Sequence, residues 1–176
     1  MGPAPVVKAV EERKVAAAAW WRGTRGEWYV VVQILLVVLI AAGPCTWNGW
    51  PDWPFPSGRL VSLAGLALLV GGAGLAVGGG LRLGAALTPL PRPAADAVLQ
   101  ETGVYRVVRH PMYCGVILAA FGWALLRQGW LTLGYALAGW VFIEAKVRQE
   151  ERWLLERFPG YAAYQRRVRK LIPFVH

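Results

Sequence analysis

Histidine and cysteine each occur only twice in these 176 residues, and charged residues make up just 16% of them. Two histidines are too few for a histidine-rich metal centre. Two cysteines, Cys45 and Cys114, cannot build a disulfide framework, and both are expected to be free thiols near opposite faces of a bilayer. No Ser-His-Asp grouping stands out. Acidic residues are scarce as well, ten against nineteen basic, for a formal net charge of +9. A surplus of that size suits nucleic acid, but no zinc, homeodomain-like or RNA-binding motif goes with it. The basic residues fall instead in the gaps between apolar runs, where anionic lipid headgroups would lie. A nucleic-acid partner is therefore not expected. Internal repeats and low-complexity segments are also missing.

What the chain has in abundance is apolar: 56% of it is hydrophobic, with ten Trp and 21 Gly. That departs from the usual soluble balance of roughly 45–50% apolar and about 25% charged. Trp gathers at membrane interfaces, and Gly is commoner in membrane helices than in soluble ones. Residues 28–51 and 60–81 are uncharged runs long enough to cross a bilayer. Residues 111–126 and 128–143 are two shorter runs, split only by Arg127. They read either as a helical hairpin with Arg127 snorkelling at its tip, or as one kinked, buried element. Arg127-Gln128-Gly129 is a plausible tight turn, which favours the hairpin. About 25 mixed-charge residues precede the first run, so the start is not read as a cleavable signal peptide.

Four spans are thus expected, in an all-α integral membrane protein. Of the 19 basic residues, 17 fall on one side of these spans. The positive-inside rule makes that side cytoplasmic, with both termini inside and the plasma (inner) membrane as the host. Trp47, Trp50 and Trp53 then crowd an outer loop, as an interfacial belt or a substrate lid. Gly74 and Gly78 form a small-xxx-small pair suited to close helix packing, while Gly78-Gly79-Gly80 would alternatively bend the helix and open a cavity. Residues 87–95 form a proline-rich connector. Residues 1–90 read as an amphipathic segment plus two spans, and residues 91–176 as the chemical half of a single structural domain.

Residues 103–115, GVYRVVRHPMYCG, lead Arg106, Arg109 and His110 into an apolar helix. Pro111 suits the first helical position, where its missing N–H costs nothing. Arg109 and His110 then stand at a helix N-terminus, which already attracts anions. Tyr105 and Tyr113 flank them with aromatic faces and hydroxyls. Past the fourth run, Ile143, Val147, Glu150, Leu154 and Phe158 follow helical spacing, so Glu150 shares a face with apolar residues. A lone carboxylate there is costly and needs a cation or a ligand. Glu151 is its neighbour, and Lys146 lies one turn earlier. In residues 158–174, Tyr161, Tyr164, Val168 and Leu171 make an apolar stripe opposite Arg and Lys. That pattern suits a basic amphipathic helix at the cytoplasmic membrane surface, set off by Pro159-Gly160.

These stretches resemble the isoprenylcysteine carboxyl methyltransferase and phospholipid methyltransferase families over about residues 97–174. The resemblance is carried by Gly103, Tyr105, Arg109, His110, Pro111, Tyr113 and Gly115, then Glu150 and Glu151, then Phe158, Tyr161, Tyr164 and Pro173. It implies S-adenosyl-L-methionine as cofactor, released as S-adenosyl-L-homocysteine, and a lipid-like or otherwise apolar acceptor. Carried over by position, Tyr105, His110, Pro111, Met112 and Tyr113 would line the cofactor, with Gln100 alongside and Glu150 in contact. The chemistry agrees: Arg109 and the helix N-terminus suit its carboxylate, Glu150 its amine, with Glu151 counted beside it among the cofactor-binding residues, and tyrosine faces its adenine and sulfonium. Lys146 and Arg148 are assigned to the acceptor. The resemblance implies an arginine, as in the isoprenylcysteine enzymes, where this chain has Lys146, which keeps the charge and loses the bidentate fork. The turn Phe158-Pro159-Gly160-Tyr161 is one residue shorter than usual. Two other readings stay open, a sterol-reductase-like enzyme using NADPH and a non-catalytic membrane scaffold.

Overall fold

The computed structural model describes residues 27–50, 53, 58–84, 87 and 98–171. The basic N-terminal segment, most of the proline-rich connector, Pro51 and Pro173 lie outside the described residues. Within them the fold is all helical. The helices are α1 (Glu27–Ala42), α2 (Arg59–Leu83), α3 (Pro111–Arg127), α4 (Trp130–Arg157) and α5 (Tyr161–Arg167), with a 3₁₀ turn over Gly103–Arg106.

Apolar side chains cover the outside. Val31, Val32, Ile34 and Leu35 of α1 are exposed, as are Leu60, Leu63, Leu66, Val70, Val77 and Leu81 of α2. α1 buries no residue, and α2 buries only Gly65, Gly72 and Gly79. A helix bundle with its oily residues outward and its glycines inward is built for lipid. Among the described residues one helix, α2, is both long and apolar enough to cross a membrane, while α1 and α3 are apolar and shorter.

The buried glycines explain how α2 meets α3. Gly65, Gly72 and Gly79 are seven residues apart and lie on one stripe, as do Gly115 and Gly122 opposite them. A Cβ on Gly72 would lie 2.5 Å from the Gly115 carbonyl oxygen, and one on Gly65 would lie 2.9 Å from that of Gly122. A Cβ on Gly79 would lie 2.8 Å from Met112 Cγ. Gly74 and Gly78, the pair singled out by spacing, have open space around them. Close packing occurs as expected, on a different face. The helix is continuous through the Gly78-Gly79-Gly80 run to Leu83.

α3 and α4 form the hairpin. Gln128 adopts the left-handed conformation that caps α3, and Gly129 abuts the Cys45 carbonyl so closely that a Cβ would collide with it. Arg127 does not reach outward freely. Its Nε and a terminal nitrogen lie 3.0 and 2.8 Å from Cys45 Sγ, and it stands over the Trp123 ring. Cys45 and Cys114 are both free thiols, at opposite ends of the bundle. Trp47 and Trp50 are exposed, and Trp53 packs on Trp130.

α4 runs unbroken through the apolar stretch and about four further turns to Arg157. Phe158 is extended, as a residue before proline prefers, and Pro159-Gly160 turns the chain into α5. Here the structure departs from the expected surface helix. α5 has only seven residues, and Tyr161, Tyr164 and Leu171 are buried in protein. The chain past α5 folds back as a strap. Arg109 N–H donates to the Arg169 carbonyl at 2.8 Å and His110 N–H to the Lys170 carbonyl at 3.1 Å. The basic stripe thus belongs to a segment that closes over the start of α3.

Candidate functional site

The start of α3, the C-terminal turns of α4 and the strap meet in a polar cluster built on two adjacent carboxylates. His110 is the N-cap residue of α3, but its side chain makes no cap bond. Its ring turns instead to α4, with Nε2 3.2 Å from Glu151 Oε1 and Nδ1 3.8 Å from Glu150 Oε2. An ionised carboxylate only accepts, so Nε2 carries a proton.

Glu151 is fully engaged. Arg109 Nε donates to Oε1 at 2.8 Å, Tyr161 hydroxyl to Oε1 at 3.2 Å and Gln165 Nε2 to Oε2 at 3.2 Å. Burial by itself would raise its carboxyl, but the hydrogen bonds from His110 and Arg109 outweigh that and hold it at about 2. Arg109 is spent in the same network, since one terminal nitrogen also donates to the carbonyls of Gln165 and Val168. The arginine expected to receive a ligand carboxylate already holds one from its own chain. Its work is to tie α3, α4 and the strap together.

Glu150 is the contrasting member of the pair. Its Oε1 accepts from the Tyr113 hydroxyl, and no described cation reaches it at closer range than His110. Burial pushes its carboxyl above the ordinary range, and the nearby His110 charge, Tyr113 hydroxyl and Lys146 charge offset this only in part. Adjacent carboxylates with opposite shifts indicate different roles. Glu151 is a frame, and Glu150 is a partly buried acceptor with coordination to spare. The Tyr113 ring stacks near His110, with centroids 5.9 Å apart.

The other candidate residues divide. Tyr105 is buried, donates its hydroxyl to the Gly79 carbonyl at 3.2 Å and accepts from the Tyr164 hydroxyl on its own carbonyl at 2.6 Å. It links α2, the 3₁₀ turn and α5, and burial raises its hydroxyl to about 12. Pro111 is buried at the first position of α3, and Met112 lies against Gly79. Gln100 donates to the Arg82 carbonyl at 3.3 Å, tying the approach to the 3₁₀ turn onto the end of α2. Lys146 is 1% exposed, donates to Gln33 Oε1 at 2.6 Å and stands 5.1 Å from the Tyr113 ring centroid. Arg148 is not brought in: its side chain is 69% exposed and pairs with Glu144 one turn back.

Three participants escaped the reading of the sequence. Tyr161 and Gln165 reach Glu151 from a short helix after a proline break, and local spacing carries no trace of it. Gln33 did leave a signal. It is the single polar side chain between Trp28 and Ala42 other than the Tyr29 hydroxyl, and a lone amide in an apolar helix asks for a partner.

Comparison with known proteins bears on the same elements. A protein-S-isoprenylcysteine O-methyltransferase of Saccharomyces cerevisiae is 39% identical over 83 residues, covering 46% of this chain and 35% of that protein. The cobalt-zinc-cadmium resistance protein CzcN of Cupriavidus metallidurans is 31% identical over 149 residues, covering 84% of this chain and 62% of that one. The chain therefore spans between about a third and three fifths of these relatives' lengths. The solved structure of the eukaryotic intramembrane Ras methyltransferase ICMT superposes with a TM-score of 0.61 at 25% identity, covering 94% of this chain and 53% of that one. The sequence model of the phospholipid methyltransferase family matches residues 60–160, which takes in the glycine-packed helix pair, the α3–α4 hairpin and both carboxylates. By that match, over more than half of its length, the chain belongs to the phospholipid methyltransferase family.

Proposed function

We propose that this protein transfers a methyl group from S-adenosylmethionine to a lipophilic acceptor at the cytoplasmic face of the membrane. An isoprenylcysteine carboxylate, a phospholipid amine or a similar group would be the acceptor. The observation that carries the reading is the division of labour between Glu151, saturated by four donors, and Glu150, partly buried with room for another.

The residues present fit the cofactor. S-adenosylmethionine supplies an electrophilic methyl on a sulfonium and leaves as S-adenosylhomocysteine. Glu150 would accept from the ammonium of its amino-acid end. The N-terminal turn of α3, at Met112 and Tyr113, would attract its carboxylate, because the first N–H groups of a helix have no partner within it. The rings of His110 and Tyr113 offer flat faces beside Glu150. Arg109 and Glu151 hold these groups in register and close the strap over them. Methyl transfer is an in-line displacement that gains most from alignment and a dry cleft. A site walled by α3, α4 and the strap would supply both. Lys146 would face an acidic group on the acceptor.

The membrane arrangement follows. Four spans, α1 to α3 and the apolar first half of α4 up to Ile143, would cross with both termini cytoplasmic, and the 17 basic residues on that side support the orientation. At 1.5 Å per residue, α1 and α3 rise about 24–26 Å and need some bilayer thinning or tilt of their neighbours. The plasma membrane remains the proposed host. Incubation of the purified protein with methyl-labelled S-adenosylmethionine and lipid extracts tests the reading. Label is expected in an extractable lipid. Label confined to water-soluble thiols would overturn the lipid acceptor, and a preference for binding NADPH would overturn the methyl donor.

A further inference from the structure

Lys146 carries a charge in a place that does not balance it. The side chain is 1% exposed, yet no described carboxylate comes within ion-pair distance of its nitrogen. An ammonium has three N–H donors. Among the described residues one is taken, by Gln33 Oε1 at 2.6 Å, and the charge otherwise rests over the Tyr113 ring at 5.1 Å. The Glu150 charge acts on Lys146 only from beyond ion-pair distance, so the buried cation is incompletely compensated and a ligand anion would supply the balance.

Gln33 changes what such a ligand would meet. Its oxygen is pinned by the ammonium, so its amide nitrogen, attached to the same carbon, adds two further donors beside Lys146. A lysine alone is a point charge, whereas an arginine offers a planar fork. Lysine plus a primary amide restores a multi-donor surface from two helices. Gln33 is only half-buried, and its neighbours Val31, Val32, Ile34 and Leu35 form the exposed apolar side of α1. Gln33 itself lies on the opposite face of α1, with Tyr29 against α4, so an acceptor entering at the seam between α1 and α4 would bring its polar end to Gln33 and Lys146, and then to Tyr113 and Glu150.

We propose that Gln33 is a specificity-determining residue, forming with Lys146 a two-helix receptor for an oxyanion on the methyl acceptor. This deepens the methyltransferase reading and rests on it. The oxyanion is either the carboxylate of a prenylated cysteine or the phosphate of a phospholipid headgroup.

The test uses the full chain in detergent or nanodiscs with two probes, N-acetyl-S-farnesylcysteine and vesicles containing phosphatidylethanolamine. Methylation of the first identifies a carboxylate, and methylation of the second a phosphate. For whichever probe the wild type methylates, Gln33→Leu is expected to raise KM about tenfold to a hundredfold, the loss of a charge-assisted contact. kcat and S-adenosylhomocysteine affinity should stay within about twofold, the signature of lost acceptor binding alone. Gln33→Glu supplies an internal counter-ion to Lys146, so it should raise the acceptor KM further while leaving the protein as stable or more so. Unchanged acceptor KM in both variants overturns the inference and leaves the methyltransferase reading standing. A lower melting temperature with unchanged KM assigns Gln33 a packing role and also overturns it. A wild type that methylates neither probe removes the inference and shows that the acceptor reading itself has failed.

Discussion

Replacing Glu151 by glutamine keeps the side chain's shape and removes the charge on which four donors converge. Arg109, His110, Tyr161 and Gln165 would face a neutral amide. The cost follows from the structure by two routes. Breaking one partner out of a buried ion pair costs about 3–5 kcal/mol. Independently, the carboxyl stands at about 2 in the fold against an ordinary 4.5, and at about 1.4 kcal/mol per pH unit that separation is worth about 3 kcal/mol. Because the folded value is depressed, this stability is present above about pH 4.5 and is lost as pH falls towards about 2. Equilibrium unfolding of wild type and Glu151→Gln across pH 2 to 7 is the assay. The difference should be about 3 kcal/mol near neutrality, shrink below pH 4.5 and vanish near the bottom of the range. A difference that is absent, or that does not change with pH, would refute the placement of Glu151 as the ionised frame of the site.

Three further outcomes follow. Gly72→Ala should lose about 1–3 kcal/mol by forcing α2 off α3, since its Cβ would lie 2.5 Å from the Gly115 carbonyl oxygen. Gly74→Ala, with open space around it, should be neutral or slightly stabilising, and melting temperatures in detergent separate the two. Tyr161→Phe removes one of the donors to Glu151 and should cost about 1.5 kcal/mol by chemical unfolding, less than Glu151→Gln. Arg148→Ala should change stability by no more than about 0.5 kcal/mol and leave S-adenosylhomocysteine affinity intact by calorimetry, because its side chain points outward.

The first four helices were legible because each contains a long apolar run, and the α3–α4 turn because Gln128-Gly129 sits between two such runs. The helix start at Pro111 and the Glu150–Glu151 pair were legible for a similar local reason. Which glycines pack was not, because Gly65, Gly72 and Gly79 and the pair Gly74 and Gly78 have equally helical spacings, and only the partner helix selects a face. The role of Arg109 was also hidden. An arginine before a helix reads as an open anion site until the strap, some 60 residues later, brings Gln165 and Val168 carbonyls to it alongside Glu151. The tail misled for a related reason: a stripe of Tyr161, Tyr164 and Leu171 opposite basic residues suits a bilayer surface and a protein groove equally well. Gln33 and Lys146 lie 113 residues apart, and only the fold places the one beside the other.

The most direct test is calorimetric titration of wild type and Glu150→Gln with S-adenosylhomocysteine, with NADPH as a control and melting temperatures measured in parallel. Burial raises the Glu150 carboxyl, so its charge weakens the ligand-free fold as pH rises, and the variant should be as stable as wild type or more so near neutrality. Its affinity for S-adenosylhomocysteine should fall at least about tenfold, the loss of one charge-assisted contact, with no binding of NADPH by either protein. Equal affinity in both proteins, or binding of NADPH in place of S-adenosylhomocysteine, would contradict the account.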